Sequence, residues 1–413
     1  MNIHIIAVGS ELMTPFFRDT DSLYLTGGLN DLGLDVAEKI IVGDEPERLE
    51  AAIRRSKDEA DLVFITGGLG PTGDDRTREA VSSVFHRPLH LREDLVQAME
   101  ERIRRRGRTM APVNRKQAEI LEGAEVLPNP AGTAPGQWLE ADGKTVVLLP
   151  GPPHELEVVC ETQVWPRLAA RKRAFLARRN LKVAGLTESD LETLIEDLYP
   201  KEPDLRLTVL ASPGQIDLHI SAFSLVSMDE AKTRAEGLIS RLGLRLGPRI
   251  FSKDGSDLES VVGRMLTARK ETVAVAESCS GGLLSRRLTR IPGSSAYFLE
   301  GFITYTNHAK VVRLGVPAGT IENHGAVSAE TAAAMAEGVR RTAGSDYGLA
   351  VTGIAGPSGG TAEKPVGLVY CAVAGPTGTR VERSIFWGDR IRVQEQASQK
   401  TLDMLRRLLD EEG

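Results

Sequence analysis

The sequence predicts a soluble α/β protein of several domains, and three observations carry that reading. Its 413 residues are more than one hydrophobic core usually organises. Short β-favouring runs alternate with helical periodicity over 3–170 and again over 255–413, the pattern of sheets covered by helices. Between them, 171–250 shifts to a small mixed β-α-β-β-α arrangement. The expected domains are therefore 1–170, 171–250 and 251–413.

Composition narrows the function classes. Hydrophobic residues at 41% and charged residues at 26% belong to soluble globular protein. With 51 Lys+Arg against 57 Asp+Glu the net charge is -6, so no global field attracts nucleic acid or an anionic membrane. No apolar run has membrane-spanning length, and the opening stretch Met1-Asn2-Ile3-His4-Ile5-Ile6-Ala7-Val8 lacks a basic leader and reads as a strand. Cys160, Cys279 and Cys371 are odd in number, scattered and without metal-ligand spacing, so a reducing cytoplasm is the expected location.

In the first domain, strands at 3–8, 36–42, 61–66 and 145–149 alternate with helices, which predicts a parallel sheet covered on both faces. Ligands of such sheets bind where loops gather beyond the carboxyl ends of the strands. Gly9-Ser10-Glu11-Leu12 follows the first strand there. Gly67-Gly68-Leu69-Gly70-Pro71-Thr72-Gly73-Asp74-Asp75 follows the third. Glycines such as Gly67, Gly68 and Gly70 let backbone N–H groups approach a phosphate, and Asp74 with Asp75 can hold a hard divalent cation or a water. Asp75 is alternatively the cap of a helix starting near Thr77. Two more loops, Asn129-Pro130-Ala131-Gly132-Thr133-Ala134-Pro135-Gly136 and Leu149-Pro150-Gly151-Pro152-Pro153-His154-Glu155, converge on the same end. Four Gly/Pro loops with carboxylates read as a phosphate and metal site. The one dense basic run, 102–108, reads as a solvated helix end, with Arg115 and Lys116 within reach of a phosphate.

The middle region resembles a KH-type fold but lacks a Gly-x-x-Gly clamp between consecutive helices, so a spacer or interface role is expected and direct nucleic-acid contact is not. In the last domain, the apolar run Thr272-Val273-Ala274-Val275 leads into Ala276-Glu277-Ser278-Cys279-Ser280-Gly281-Gly282 and then into helical spacing at Leu283, Leu284, Arg287, Leu288 and Ile291. On spacing alone this is a glycine-rich turn capped by Ser278 or Ser280. Alternatively Ser278 is a nucleophile at the mouth of a helix whose free N–H groups hold an oxyanion. Three further loops after strands bring Tyr305 with Lys310, Thr352, and Arg390. His308 and His324 have no obvious carboxylate orienter, and a lysine of depressed pKa can serve a serine hydrolase as its base.

Taken together, the four loops of the first domain, Val183-Ala184-Gly185-Leu186-Thr187-Glu188, 276–282, Thr304-Tyr305-Thr306-Asn307 with Lys310, His324-Gly325-Ala326-Val327-Ser328 and Thr352-Gly353-Ile354-Ala355-Gly356-Pro357 make the chain resemble the competence/damage-inducible CinA family over essentially its full length. The resemblance implies a three-layer first domain similar to molybdopterin-binding proteins but used as a metal-dependent ADP-ribose pyrophosphatase. It also implies a KH-like middle domain and a C-terminal α/β nicotinamide-nucleotide amidohydrolase. Family deamidase residues match Ser278 as nucleophile, Lys310 with Tyr305 in proton transfer, and Thr352 and Arg390 at the substrate, with Arg392 the alternative to Arg390; Gly281 and Gly282 would line the substrate. In the first domain Asp75, Asp74 and Glu11 would handle a divalent Mg, Mn or Co ion, and Gly67, Gly68, Gly70, Thr72, Asn129 and Gly132 the substrate. No cofactor is expected in the last domain. The expected partners are nicotinamide mononucleotide, ADP-ribose and a second copy of the chain in a homodimer, with no nucleic acid and no membrane. A molybdopterin-handling protein and a non-catalytic adaptor in DNA uptake or recombination are the rival readings.

Overall fold

The computed structural model describes residues 1–105, 107–170 and 175–412. The expected boundary between 170 and 171 borders 171–174, which lie outside the described residues, as does Arg106 of the basic run. The chain forms two compact units, 1–176 with 223–231, and 177–222 with 232–413. Among the described residues no helix is long and apolar enough to cross a membrane.

The first unit runs β1 (Ile3–Val8), α1 (Asp21–Asp31), β2 (Glu38–Val42), α2 (Pro46–Glu59), β3 (Leu62–Thr66), α3 (Thr77–Phe85), β4 (Leu89–Leu91), α4 (Glu93–Arg105), β5 (Glu119–Leu121), β6 (Glu125–Leu127), β7 (Gly136–Ala141), β8 (Lys144–Leu149), α5 (Pro153–Val159) and α6 (Trp165–Ala170). Its main sheet has the order β2-β1-β3-β8-β7-β6. The strands β2, β1, β3 and β8 are parallel, as expected, but β7 is reversed and pairs antiparallel with both β8 and β6. The cause is local: Asp142 and Gly143 both take positive φ, 54° and 73°, giving the two-residue turn whose twist suits a tight hairpin between β7 and β8. Alternation along the strands splits the core into two layers. Ile6, Val8, Val63, Ile65, Val146 and Leu148 pack with Leu49, Ile53, Val81 and Phe85 of α2 and α3. Ile3, Ile5, Leu62, Phe64, Val147 and Leu149 pack with Leu25 and Leu29 of α1 and Leu156 of α5.

The middle region, most of which falls in the second unit, runs β9 (Phe175–Ala184), α7 (Glu188–Ile195), β10 (Leu205–Ser212), β11 (Gln215–Ser224), α8 (Met228–Leu246) and β12 (Ile250–Ser252), in a sheet of order β10-β11-β9-β12. This is the expected β-α-β-β-α unit, with the short β12 added at the edge of its sheet. The last domain follows: α9 (Leu258–Arg269), β13 (Val273–Glu277), α10 (Leu283–Thr289), β14 (Phe298–Ile303), α11 (Asn307–Leu314), α12 (Ala318–His324), α13 (Ala329–Ala343), β15 (Tyr347–Gly353), β16 (Leu368–Gly375), β17 (Gly378–Ile385) and α14 (Arg390–Glu411). Its sheet order is β14-β13-β15-β16-β17, parallel across the first three strands and antiparallel beyond. Val273, Val275, Leu349, Val351 and Val373 meet α9 and α14 on one face. Ala274, Ala276, Ala350, Ala372 and Ala374 meet α13 on the other, and these small side chains let that helix lie close. The middle sheet joins this domain through Lys182 Nζ to Asp257 at 2.7 Å, Arg406 Nη2 to the Pro248 carbonyl at 2.9 Å and Gln399 Nε2 to Gln215 at 3.2 Å.

Candidate active sites

The last domain places its chemistry at the carboxyl ends of β13 and β15. Ser278 stays in line with the sheet, its N–H donating to the Val351 carbonyl at 2.9 Å. The chain then reverses through Gly281 and Gly282, at φ 64° and 102°, a left-handed pair that residues with a Cβ rarely adopt. The sequence reading had the first turn of the following helix as the oxyanion holder, and the structure corrects it. The fully buried Glu277 carboxylate already accepts the N–H groups of Gly282 (3.0 Å), Leu284 (3.1 Å) and Ser285 (2.8 Å) and the Ser285 hydroxyl (2.7 Å). An anion in the protein itself thus fills the start of the seven-residue α10. Among the described residues the N–H groups of Cys279 and Ser280, just beyond Ser278, donate to no protein acceptor and remain for an oxyanion. Ser280, the other serine of the turn, is buried, and its hydroxyl finds no partner among the described residues.

Lys310 is the candidate base, brought against Ser278. It lies on α11, whose first turn is capped by the Thr306 hydroxyl accepting from Ala309 N–H, and it is only 1% exposed. Its Nζ lies 3.1 Å from Ser278 Oγ, 2.8 Å from the Thr304 carbonyl and 3.4 Å from the Tyr305 carbonyl. Burial pushes the ammonium pKa down. The three oxygens match the three hydrogens of an ammonium, and on loss of one proton the lone pair can turn to the Ser278 hydroxyl while the other two hydrogens stay on the carbonyls. The pairing of Lys310 with the Tyr305 hydroxyl does not form. Tyr305 offers Lys310 only its carbonyl, while its hydroxyl accepts from Arg390 Nη2 at 3.0 Å. Arg390 Nη1 also donates to the Gly356 carbonyl at 2.9 Å, whereas the Arg392 N–H takes the Asp389 cap at 2.9 Å; Arg390 is the arginine brought to Tyr305.

Thr352 is buried and donates its hydroxyl to the Ala326 carbonyl at 2.7 Å, tying the 324–328 loop beside Ser278. Lys364 holds the same loop through the carbonyls of His324 (2.9 Å) and Val327 (2.8 Å). His324 does face a carboxylate, Glu330 at 3.6 Å, but both are exposed, and His308 is exposed on α11. Sequence reasoning missed Glu277, Lys364 and Gln394, whose Nε2 donates to the Cys279 carbonyl at 2.7 Å. Glu277 reads in sequence as a strand end, and only the folded turn shows what it caps.

The first domain holds a cavity of about 680 Å³ at the carboxyl ends of β1, β3 and β8. Glu11, Gly67, Gly68, Gly70, Thr72, Asp74 and Asp75 all line it, so the structure gathers most of the expected residues. Asn129 and Gly132 stand behind it. Asn129 Nδ2 donates to Glu155 at 2.7 Å and to the Ala134 carbonyl at 2.8 Å, and its Oδ1 accepts from Gly132 N–H at 2.9 Å. A Cβ on Gly132 would overlap the Glu155 carboxylate. Arg102 of the basic run supports this loop through the Asn129 carbonyl at 2.8 Å. Lys116 pairs with Glu79 at 2.8 Å and Arg115 with Glu93, so neither is left for a phosphate. Asp75 does not cap α3, which has no side-chain cap; it folds back to accept the Thr72 N–H at 2.8 Å and the Thr72 hydroxyl. Of the glycine-loop N–H groups, that of Gly67 goes to the Leu149 carbonyl at 3.1 Å, while those of Gly68, Leu69 and Gly70 have no protein acceptor among the described residues.

Seven carboxylates line this cavity, from Glu11, Asp19, Asp21, Asp44, Asp74, Asp75 and Glu155, against a single cation, Arg18. Asp21, absent from the sequence reading, accepts from Thr66 Oγ1 at 2.8 Å, and burial, aided by the nearby Asp19 and Glu157, lifts its pKa to about 6. Such a lining repels a pyrophosphate unless cations intervene, and hard oxygen donors fit a divalent ion. Glu11, Asp74 and Asp75 do not form a closed cage. Among the described residues the one His/Cys/Asp/Glu trio with ligand atoms within 4.8 Å is His4, Glu38 and Glu59, at the opposite end of β1, where Arg55 already pairs with Glu38. The cavity instead suits an ion held by one or two carboxylates, water and substrate phosphate.

Fold and site together define a class: modular α/β proteins joining a glycine-looped acidic cleft to a serine–lysine centre. Family models match in the corresponding order, a probable molybdopterin binding domain over 4–170, a damage-inducible protein CinA KH domain over 178–252 and the CinA C-terminal domain over 255–409. The chain is 47% identical over 408 residues to a CinA-like protein of Solibacter usitatus, covering 98% of each. It is 42% identical over 407 residues to a competence-damage inducible protein of Caldicellulosiruptor bescii, covering 98% of this chain and 99% of that one. The crystal structure of the competence/damage inducible protein CihA from Agrobacterium tumefaciens matches 37% of this chain and 96% of its own at 41% identity, with a TM-score of 0.36. The chain belongs to the CinA family.

Proposed function

We propose that the last domain hydrolyses the carboxamide of nicotinamide mononucleotide to nicotinic acid mononucleotide and ammonia, and that the first cleaves ADP-ribose to AMP and ribose 5-phosphate. The observation that carries the reading is the buried Lys310 amine 3.1 Å from Ser278 Oγ, with its other contacts directed at carbonyls. Ser278 Oγ attacks the amide carbon as its proton passes to Lys310 Nζ. The amide oxygen, now negative, is met by the Cys279 and Ser280 N–H groups. Lys310 returns the proton to the departing ammonia, and water, deprotonated by the same amine, cleaves the acyl-enzyme to acid and free serine. Arg390 and Tyr305, joined at 3.0 Å and half open to solvent, are placed for the substrate phosphate.

In the first domain, Asp75, Asp74 and Glu11 would hold the divalent ion, which when bound offsets pyrophosphate charge and activates water. The N–H groups of Gly68, Leu69 and Gly70 bind phosphate oxygens, and Asn129 and Arg102 keep the 129–136 loop against Glu155. Incubating purified protein separately with nicotinamide mononucleotide and with Mg-ADP-ribose, and identifying products by mass, tests both halves. Nicotinic acid mononucleotide in the first and AMP with ribose 5-phosphate in the second are the expected products. Molybdopterin binding without ADP-ribose cleavage would overturn the second half.

A further inference from the structure

The cavity of the first domain has a wall that pyrophosphate chemistry does not use. Leu12, Phe17 and Arg18 line it alongside the carboxylates. Phe17 is 61% exposed, and Arg18 has no carboxylate partner among the described residues. An open phenylalanine ring is common on a surface, but one turned into the lining of a charged cleft is not explained by packing, since it covers no core.

The segment carrying it is fixed at both ends. The Thr14 hydroxyl donates to the Glu11 carbonyl at 2.7 Å. At the far end, the Asp19 carboxylate accepts the Ser22 N–H at 2.9 Å and also the Ser22 hydroxyl. Phe17 and Arg18 are thus presented by a short loop tied at both ends, which limits the entropy lost on binding. An aromatic face beside a free guanidinium offers stacking on one hand and cation–π or anion contact on the other.

We propose that Phe17 is the nucleobase platform of this cavity, with Arg18 beside it, so that the site takes nucleoside diphosphate esters by stacking on the base and holding the pyrophosphate at the glycine loop. This rests on the pyrophosphatase reading and adds where the base lies and what class of ligand the cavity selects. Stacking is indifferent to the base's hydrogen-bonding edge, because every base has a π-face. The substrate class is therefore base-tolerant nucleoside diphosphate esters rather than adenine derivatives alone.

The test is calorimetric titration of the full chain with Mg and either AMP or ribose 5-phosphate, the two products, of which only one carries a base. Wild type should prefer AMP, and GMP should bind within a few-fold of it. Phe17→Ala, at an exposed position, should weaken AMP by about tenfold or more, the scale of one lost base stack, while leaving ribose 5-phosphate unchanged. Phe17→Trp should restore the preference. A Phe17→Ala protein that keeps the wild-type ratio of the two affinities overturns the inference alone. Wild type that binds neither ligand overturns the pyrophosphatase reading and this inference with it.

Discussion

The two sites of this chain are built on opposite plans. Around Ser278 the candidate reacting groups are held in place: Lys310 reaches Ser278 and two carbonyls, and Glu277 fixes the turn with four hydrogen bonds. Around Asp75 the cavity is wide, acidic and open, with seven carboxylates but no converging trio among them. Acyl transfer by a side-chain nucleophile requires atoms placed within a fraction of an ångström, and the protein has to supply all of them. Phosphate chemistry on a hard ion lets the substrate and water complete the coordination, so the protein needs only to supply oxygens and free N–H groups. The first site is legible as a geometry, the second as an electrostatic deficit.

That contrast breaks most sharply under Ser278→Ala. Ammonia release from nicotinamide mononucleotide should fall by about a thousandfold or more, with ADP-ribose cleavage unchanged. Near wild-type deamidation would move the nucleophile to Ser280. Lys310→Arg keeps the charge but cannot deprotonate near neutral pH, and should cost on the order of a hundredfold to ten-thousandfold in kcat for deamidation. If the free amine is the base, kcat/KM should climb as pH rises through the lowered Lys310 pKa and level off above it, at a pH below that expected of an ordinary lysine. A flat profile would show that Lys310 supplies charge only.

Smaller effects sharpen the comparison. Arg390→Ala should raise KM for nicotinamide mononucleotide by about tenfold, the scale of one lost charge-assisted contact, whereas Arg392→Ala should not. Equal effects would remove the distinction drawn from the Tyr305 contact. In the acidic cavity, Asp21 has a folded-state pKa of about 6, above its ordinary 3.8. The folded state therefore binds more protons than the unfolded one between these values, and stability falls as pH rises through that window. Asp21→Asn retains an acceptor for Thr66 and should raise the melting temperature by a few degrees above pH 6, a gain that fades as pH drops toward 4. Calorimetry at both pH values checks this; a gain independent of pH would mean that the charge is not what strains the site.

How much of this was readable beforehand follows from what each feature depends on. The strand, turn and helix about Ser278 are local, set by an apolar run, paired glycines and helical spacing, and the sequence shows them. Lys310 was readable as a candidate base from the want of a usable histidine, but the destination of the Tyr305 hydroxyl was not, because Arg390 lies 85 positions away in the chain. Glu277 and Asp21 were missed for the same reason: one looks like the end of a strand and the other like an acidic helix start, and only the fold buries them. The antiparallel β7 was within reach, since Asp142-Gly143 between two apolar runs is a hairpin signal. The place of the glycine loop at the cavity was legible from its position after a strand, but which of its N–H groups are already spent on Leu149 and Asp75 depends on strands and side chains that pair only in the folded sheet.

The account's central claim is that the two sites are chemically independent, one needing a divalent ion and the other none. It is tested most directly by measuring both activities in one preparation of the full chain, with and without EDTA, and restoring the ion afterwards. ADP-ribose cleavage should vanish in the chelator and return with Mg, Mn or Co, while nicotinamide mononucleotide deamidation stays near its starting rate throughout. Parallel loss and recovery of both activities would contradict the claim, because it would place an ion in the service of the Ser278 site.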